Sequence, residues 1–187
     1  AKKLPAQSVA IVHSNDQLQR SADQYFKFRQ HSDLLYLTGI EQEKTVLVLC
    51  PDHPDEQMRE IVFILKADKN LEIWEGHKLT PDEAKEIAGI SVVHFLDDYD
   101  SIIHQLLQYA EHVFIDIQDP AKFKHEVQDR NERMFNALKK KYPLNNYRAL
   151  SPVINQLRVI KEYEELESIK SAINITRVKL PYVSVTS

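Results

Sequence analysis

Cysteine occurs once in the 187 residues, at Cys50, so the chain can form no intrachain disulfide and suits a reducing compartment. Glycine occurs three times, at Gly39, Gly76 and Gly89, too few for a glycine-rich phosphate loop. No G-x-S-x-G elbow or Cys–His nucleophile pattern is present. Apolar runs all fall far short of the roughly 20 residues that cross a bilayer, and Ala1–Pro5 leads into Ser8–Val12 without an apolar signal core. Clustered positive charge is also scarce. The 24 Lys and Arg are interspersed with 28 Asp and Glu, for a formal net charge of -4, which argues against a nucleic-acid stripe or a polybasic membrane surface. The one basic run, Lys139–Lys141, falls where a helix should end and complements its dipole. The expectation is a cytoplasmic globular protein with no nucleic-acid and no membrane partner.

Metal-binding spacing is missing as well. The histidines, at 13, 31, 53, 77, 94, 104, 112 and 125, include no H-x-x-x-H and no H-E-x-x-H. Asp116 and Asp119 at a strand end resemble a carboxylate pair of a two-metal nuclease. Net acidity weighs against that reading, and helix capping by Asp119 accounts for most of the signal.

With 43% hydrophobic residues the chain can bury a core. Five segments rich in β-branched residues read as strands: Ser8–Val12, Thr45–Leu49, Glu60–Leu65, Ser91–Phe95 and His112–Ile117. Thr45–Leu49 is apolar from Val46 onward, as in a central strand covered on both faces. Thr80-Pro81-Asp82-Glu83 predicts a capping box with proline at the first helical position, and Gly89 ends that helix. Asp97, Asp98 and Asp100 are expected to cap a helix whose apolar face is Tyr99, Ile102, Ile103, Leu106, Leu107 and Ala110. Asp119-Pro120 is expected to open a longer helix with an apolar stripe of Phe123, Val127, Met134 and Leu138. Glu126–Arg130 and Asp129–Arg133 would be its ion pairs. Ser32-Asp33 should cap a short helix that Gly39 closes, with Tyr25, Phe26, Phe28 and Tyr36 covering core surface and Arg29 stacked between aromatics or in a buried ion pair. Composition shifts at Tyr142–Asn146, the expected end of the first globular unit. Ser151-Pro152 starts a short helix, and an acidic-fronted helix from about Lys161 carries Leu166, Ile169 and Ile173. From Val178 the chain is expected to be strand-like or irregular. Alternation of strands and helices implies a three-layer α/β/α fold with a mixed sheet of about six strands.

The segment from Arg20 to Leu49, and within it Phe28, Arg29, Gln30, Ser32, Asp33, Tyr36, Leu37, Thr38 and Gly39, closely resembles the amino-terminal domain of Xaa-Pro aminopeptidases, in the creatinase/prolidase-like metallopeptidase family. Ile73-Trp74-Glu75-Gly76 is similar to that family's I-W-x-G. Leu157-Arg158-Val159-Ile160-Lys161, with Glu164, Glu165, Leu166 and Ile169, resembles its hinge into the catalytic domain. The resemblance implies an amino-terminal domain with a ribonuclease H-like motif over residues 1–158. Residues 159–187 would be the hinge and first helix of an otherwise missing pita-bread catalytic domain. It further implies a parent that releases the first residue of peptides with proline second, using two Mn²⁺ or similar ions held by two Asp, one His and two Glu of the missing domain. This chain itself would hold no catalytic residue, cofactor or metal. Trp74 and Arg29 are the implied cleft or interface residues; the alternatives are a core tryptophan and an architectural arginine. The missing catalytic domain and further copies of the chain would be partners, and peptide substrate would bind only to the full enzyme. Glu41-Gln42-Glu43 departs from the family's Glu-Pro, so the turn there should differ. The competing expectation is a stand-alone protein-binding module on the same fold.

Overall fold

The computed structural model describes residues 3–67, 76–117 and 127–179, with side chains described as far as residue 177. The chain divides into two compact units, Ala1–Ser151 and Pro152–Ser187. Every strand expected from β-branched composition forms. These are β1 (Ser8–His13), β4 (Val46–Leu49), β5 (Glu60–Ile64), β6 (Val92–Phe95) and β7 (His112–Ile115). A sixth, β8 (Asn146–Ala149), completes a sheet of order β6-β5-β4-β1-β7-β8. Its polar sequence, Asn-Tyr-Arg-Ala, suits an exposed sheet edge and gave no apolar signal; the expected end of the globular unit is instead a turn into this strand. Only β4, among the described strands of this sheet, runs antiparallel to its neighbours β1 and β5. A separate exposed hairpin joins β2 (Gln19–Ser21) to β3 (Gln24–Tyr25), turning at Ala22 with φ 47°.

Alternation along the strands divides the core. Val9 and Ile11 of β1, Val48 of β4, Phe63 of β5 and Ile115 of β7 pack with the helices α3 (Tyr99–Tyr109) and α4 (Arg130–Lys141). The strands' opposite face is equally buried, at Ala10, Val12, Leu47, Val62 and Ile64. There α1 (Ser32–Thr38) rests on β1 and β4, and α2 (Pro81–Ala88) on β5 and β6. Helices on both faces of a mixed sheet give the three-layer α/β/α arrangement expected from the sequence.

The ends of α2 form as the sequence dictates. Thr80 Oγ1 accepts from the Glu83 N–H at 3.3 Å, Glu83 Oε2 accepts from the Thr80 N–H at 2.8 Å, and Gly89 closes the helix at φ 65°. Hydrogen bonds to its carboxylate from the Thr80 N–H, then the Thr80 hydroxyl and His77, hold the Glu83 carboxyl below its ordinary range. Thr80→Ala is expected to cost about 1 kcal/mol of stability in denaturant unfolding.

Other termini differ from expectation. The helix assigned to Asp119-Pro120 starts, among described residues, at Arg130. Asp129 is its cap, in a second capping box with Glu132. Val127 lies outside the helix and is exposed, and Arg133 pairs with Asp16 at 2.7 Å rather than with Asp129. Asp119, Phe123 and Glu126 lie outside the described residues. Asp98 precedes α3 but makes no side-chain cap bond; it lies 3.7 Å from His94.

In the second unit, α5 (Ser151–Val159) forms as expected, and α6 (Tyr163–Lys179) runs on through Val178, where irregular chain was expected. No described helix is long and apolar enough to cross a membrane.

Candidate functional site

At adjacent parallel strands β1 and β7 the chain departs in opposite directions, toward β4 by way of α1 and toward β8 by way of α4. The carboxyl ends of such strands border the crevice where open α/β sheets bind ligands. Two buried polar groups mark the strand ends there.

On the α3/α4 face, His13 is fully buried. Its backbone N–H donates to Asn131 Oδ1 at 3.3 Å, and its ring Nε2 lies 3.1 Å from the Tyr99 hydroxyl. Burial first, then the positive charge of Arg130, pushes the imidazole pKa down to about 3, against a hydrogen bond to Asn131 that raises it. Burial likewise raises the Tyr99 phenol above its ordinary value. An enclosed imidazole that stays neutral down to this pH is poorly matched to general acid–base work near pH 7. On the α1 face, the fully buried Asp116 carboxylate lies 3.3 Å from Nδ1 of His31, which occupies the position before α1 without a side-chain cap bond, where Ser32-Asp33 was expected to cap. Asp116 therefore ties β7 to the start of α1.

The identifying motif works as a latch on the following loop. Gln30 Nε2 donates to the carbonyls of Ile40 and Gln42 at 3.1 and 2.8 Å. Thr38 Oγ1 donates to Leu34 O at 2.8 Å and accepts from the Ile40 N–H at 3.1 Å. Gly39, at φ 70°, supplies the left-handed turn between them. The departure at Gln42 has its own role: its buried side chain accepts from the Leu79 N–H at 2.7 Å, and its carbonyl accepts from Thr45 Oγ1 at 2.9 Å.

The aromatics of this segment face outward instead of covering the core. Tyr25 and Phe26 are each 54% exposed and Tyr36 37%, while Phe28 is half-buried. Arg29 is exposed rather than enclosed in an ion pair, with its backbone carbonyl accepting from Asn15 Nδ2 at 3.1 Å. It lines a groove of about 410 Å³ together with Leu18, Phe26, Val127 and Arg130. Trp74 lies outside the described residues.

Metal and nucleophile chemistry find little support in these side chains. Among the described residues no group of three or more His, Cys, Asp or Glu could hold a metal ion. The resemblance places its five-ligand two-metal centre in the catalytic domain, and the described residues supply no such set. Cys50 is buried, and burial followed by the Asp52 charge pushes its thiol up to about 12, so it stays protonated at neutral pH.

Comparison with known proteins agrees with the fold. Residues 1–114 match the family model for the aminopeptidase P N-terminal domain. The chain is 27% identical over 175 residues to an Escherichia coli Xaa-Pro aminopeptidase, covering 90% of this chain and 38% of that protein. It is 25% identical over 169 residues to human Xaa-Pro aminopeptidase 3, covering 89% and 32%. A solved aminopeptidase P-like structure from Bacillus anthracis superposes with a TM-score of 0.84 at 28% identity, over 94% of this chain and 42% of that one. The chain thus spans about a third to two fifths of the length of the curated relatives it matches.

Proposed function

Because the chain belongs to the aminopeptidase P N-terminal domain family, we propose that it is the non-catalytic amino-terminal domain of an Xaa-Pro aminopeptidase and supplies cleft walls and subunit contacts. The observation that carries this reading is the outward display of the identifying segment. Tyr25, Phe26, Leu35 and Tyr36 of that segment are all more than a third exposed, whereas the neighbouring polar groups His13 and Asp116 are sealed. An apolar surface displayed on the β2–β3 hairpin and on α1 suits contact with another domain, subunit or peptide better than it suits acid–base chemistry.

In this reading the parent acts in the cytoplasm and removes the first residue of peptides with proline second. Its two Mn²⁺ or similar ions would be held by the catalytic domain, where they would activate water for attack on the amide before proline. Trp74 and Arg29 would border the cleft. In the full-length enzyme, Trp74→Ala and Arg29→Ala are expected to raise KM for X-Pro peptides several-fold with kcat and metal content little changed. Unchanged KM in both variants would contradict the cleft role. Further copies of the chain would associate through apolar faces such as Leu166, Ile169 and Ile173 of α6, which are 42%, 44% and 58% exposed. Light scattering on the full-length enzyme tests that association, and a monomer at high concentration would count against it.

A further inference from the structure

The groove beside the β2–β3 hairpin has a charge balance opposite to that of the whole chain. Four cations border it, Lys27, Arg29, Arg130 and Arg133, against the two anions Asp16 and Asp129. Both anions are engaged locally. Asp16 Oδ2 accepts from Arg133 at 2.7 Å, and Asp129 Oδ1 accepts from the Glu132 N–H at 2.8 Å. Arg133 is engaged as well, since it also donates to the Gln128 carbonyl at 2.7 Å. Lys27, Arg29 and Arg130 are left with no side-chain hydrogen bond or ion pair among the described residues. Arg130 is half-buried, and loss of water there lowers its pKa against the raising field of Asp16. A partly desolvated guanidinium gains from a charge-assisted acceptor, and a bound carboxylate would supply one.

Between these cations lies apolar surface. Leu18 is 64% exposed, Phe26 54% and Val127 79%. Three large apolar side chains exposed around one concave surface, rimmed by cations, are a pattern of interaction sites rather than of isolated surface residues. The hairpin beside the groove is a two-stranded sheet of its own, an arrangement only marginally stable in water without a packing partner.

We infer that this groove binds an acidic peptide segment of a partner protein, with one apolar side chain seated among Leu18, Phe26 and Val127 and its carboxylates facing Lys27, Arg29 and Arg130. A protein segment is favoured over a nucleic acid because the lining includes aliphatic Leu18 and Val127, which suit an apolar side chain better than a stack of bases. The inference stands apart from the Xaa-Pro reading, since it needs only the charge and shape of this unit.

The test is fluorescence anisotropy with a short dye-labelled peptide of alternating Glu and Leu, compared with its Lys-for-Glu counterpart. The chain should bind the acidic peptide at least roughly ten-fold more tightly than the basic one, and raising salt from about 50 to about 300 mM should weaken that binding several-fold. Lys27→Glu combined with Arg29→Glu should lower the affinity at least roughly ten-fold. Both positions are exposed, so the thermal unfolding midpoint should hold. Phe26→Ala should also weaken the acidic peptide. Equal binding of the two peptides, no binding, or no response to the charge reversals would overturn the inference. So would an oligonucleotide that binds the wild-type chain, is lost in the double variant and is not displaced by the acidic peptide.

Discussion

Lowering the pH from about 7 to about 5 is expected to remove about 2 kcal/mol of folding stability through His13 alone. The folded imidazole has its pKa pushed down to about 3, while in the unfolded chain it titrates near its ordinary value of 6.5. Protonation therefore favours the unfolded state. The His13 contribution is constant above about pH 6.5, declines by about 1.4 kcal/mol per unit as pH falls, and levels off near pH 3 after a total loss on the order of 5 kcal/mol. The physical cause is burial, reinforced by the positive charge of Arg130 and, less strongly, of His31. Carboxylates titrate over part of the same range, so the informative quantity is a difference between proteins. Denaturant unfolding of wild type and His13→Gln at pH 7 and pH 5 should give a smaller loss in the variant by about 2 kcal/mol. Equal losses would mean that His13 reaches water or an anion in the folded state.

Phe63→Ala is expected to cost about 3–5 kcal/mol at any pH, enough to unfold much of a marginal domain. Phe63 is fully buried on β5, and its ring meets that of Tyr99 edge-on at a centroid distance of 5.2 Å. Tyr99 in turn holds His13 through its hydroxyl. The residue therefore joins the sheet, α3 and the polar group at the end of β1, and its loss leaves a cavity that a rigid sheet cannot close. Phe63→Leu, which retains most of the volume, should cost less than half as much. A Phe63→Ala loss below about 1 kcal/mol would show that the packing around α3 is looser than described. The pair with His13→Gln should be non-additive, since both act through Tyr99.

What the sequence revealed and what it hid follow from how local each signal is. β1, β4, β5, β6 and β7 were legible because β-branched apolar runs need only their own residues to declare themselves. The α2 capping box was legible because its partners, Thr80 and Glu83, lie three residues apart. β8 was hidden by its polar composition, and the hairpin by an Ala22–Asp23 turn without glycine or asparagine. The start of α4 is ambiguous in the sequence because Asp119-Pro120 and Asp129 with Glu132 both carry the signature of a helix start.

The site was less legible than the fold. Aromatic residues in the identifying segment suggested core, and nothing within the segment says that Tyr25, Phe26 and Tyr36 face outward. The groove's cations come from two stretches far apart in sequence, at Lys27 and Arg29 and at Arg130 and Arg133, and the fold brings them together. A reading for basic runs cannot see such a cluster. The His31–Asp116 pair is hidden for the same reason, since one residue starts α1 and the other follows β7.

The proposed role of this domain is to shape a peptidase without carrying its chemistry. Its most direct test is release of the amino-terminal residue from an X-Pro peptide by the purified chain with added Mn²⁺, together with its bound metal content. No release above the buffer rate and no stoichiometric metal are expected. Metal-dependent turnover that rises with the amount of chain, and is removed by a chelator, would contradict it.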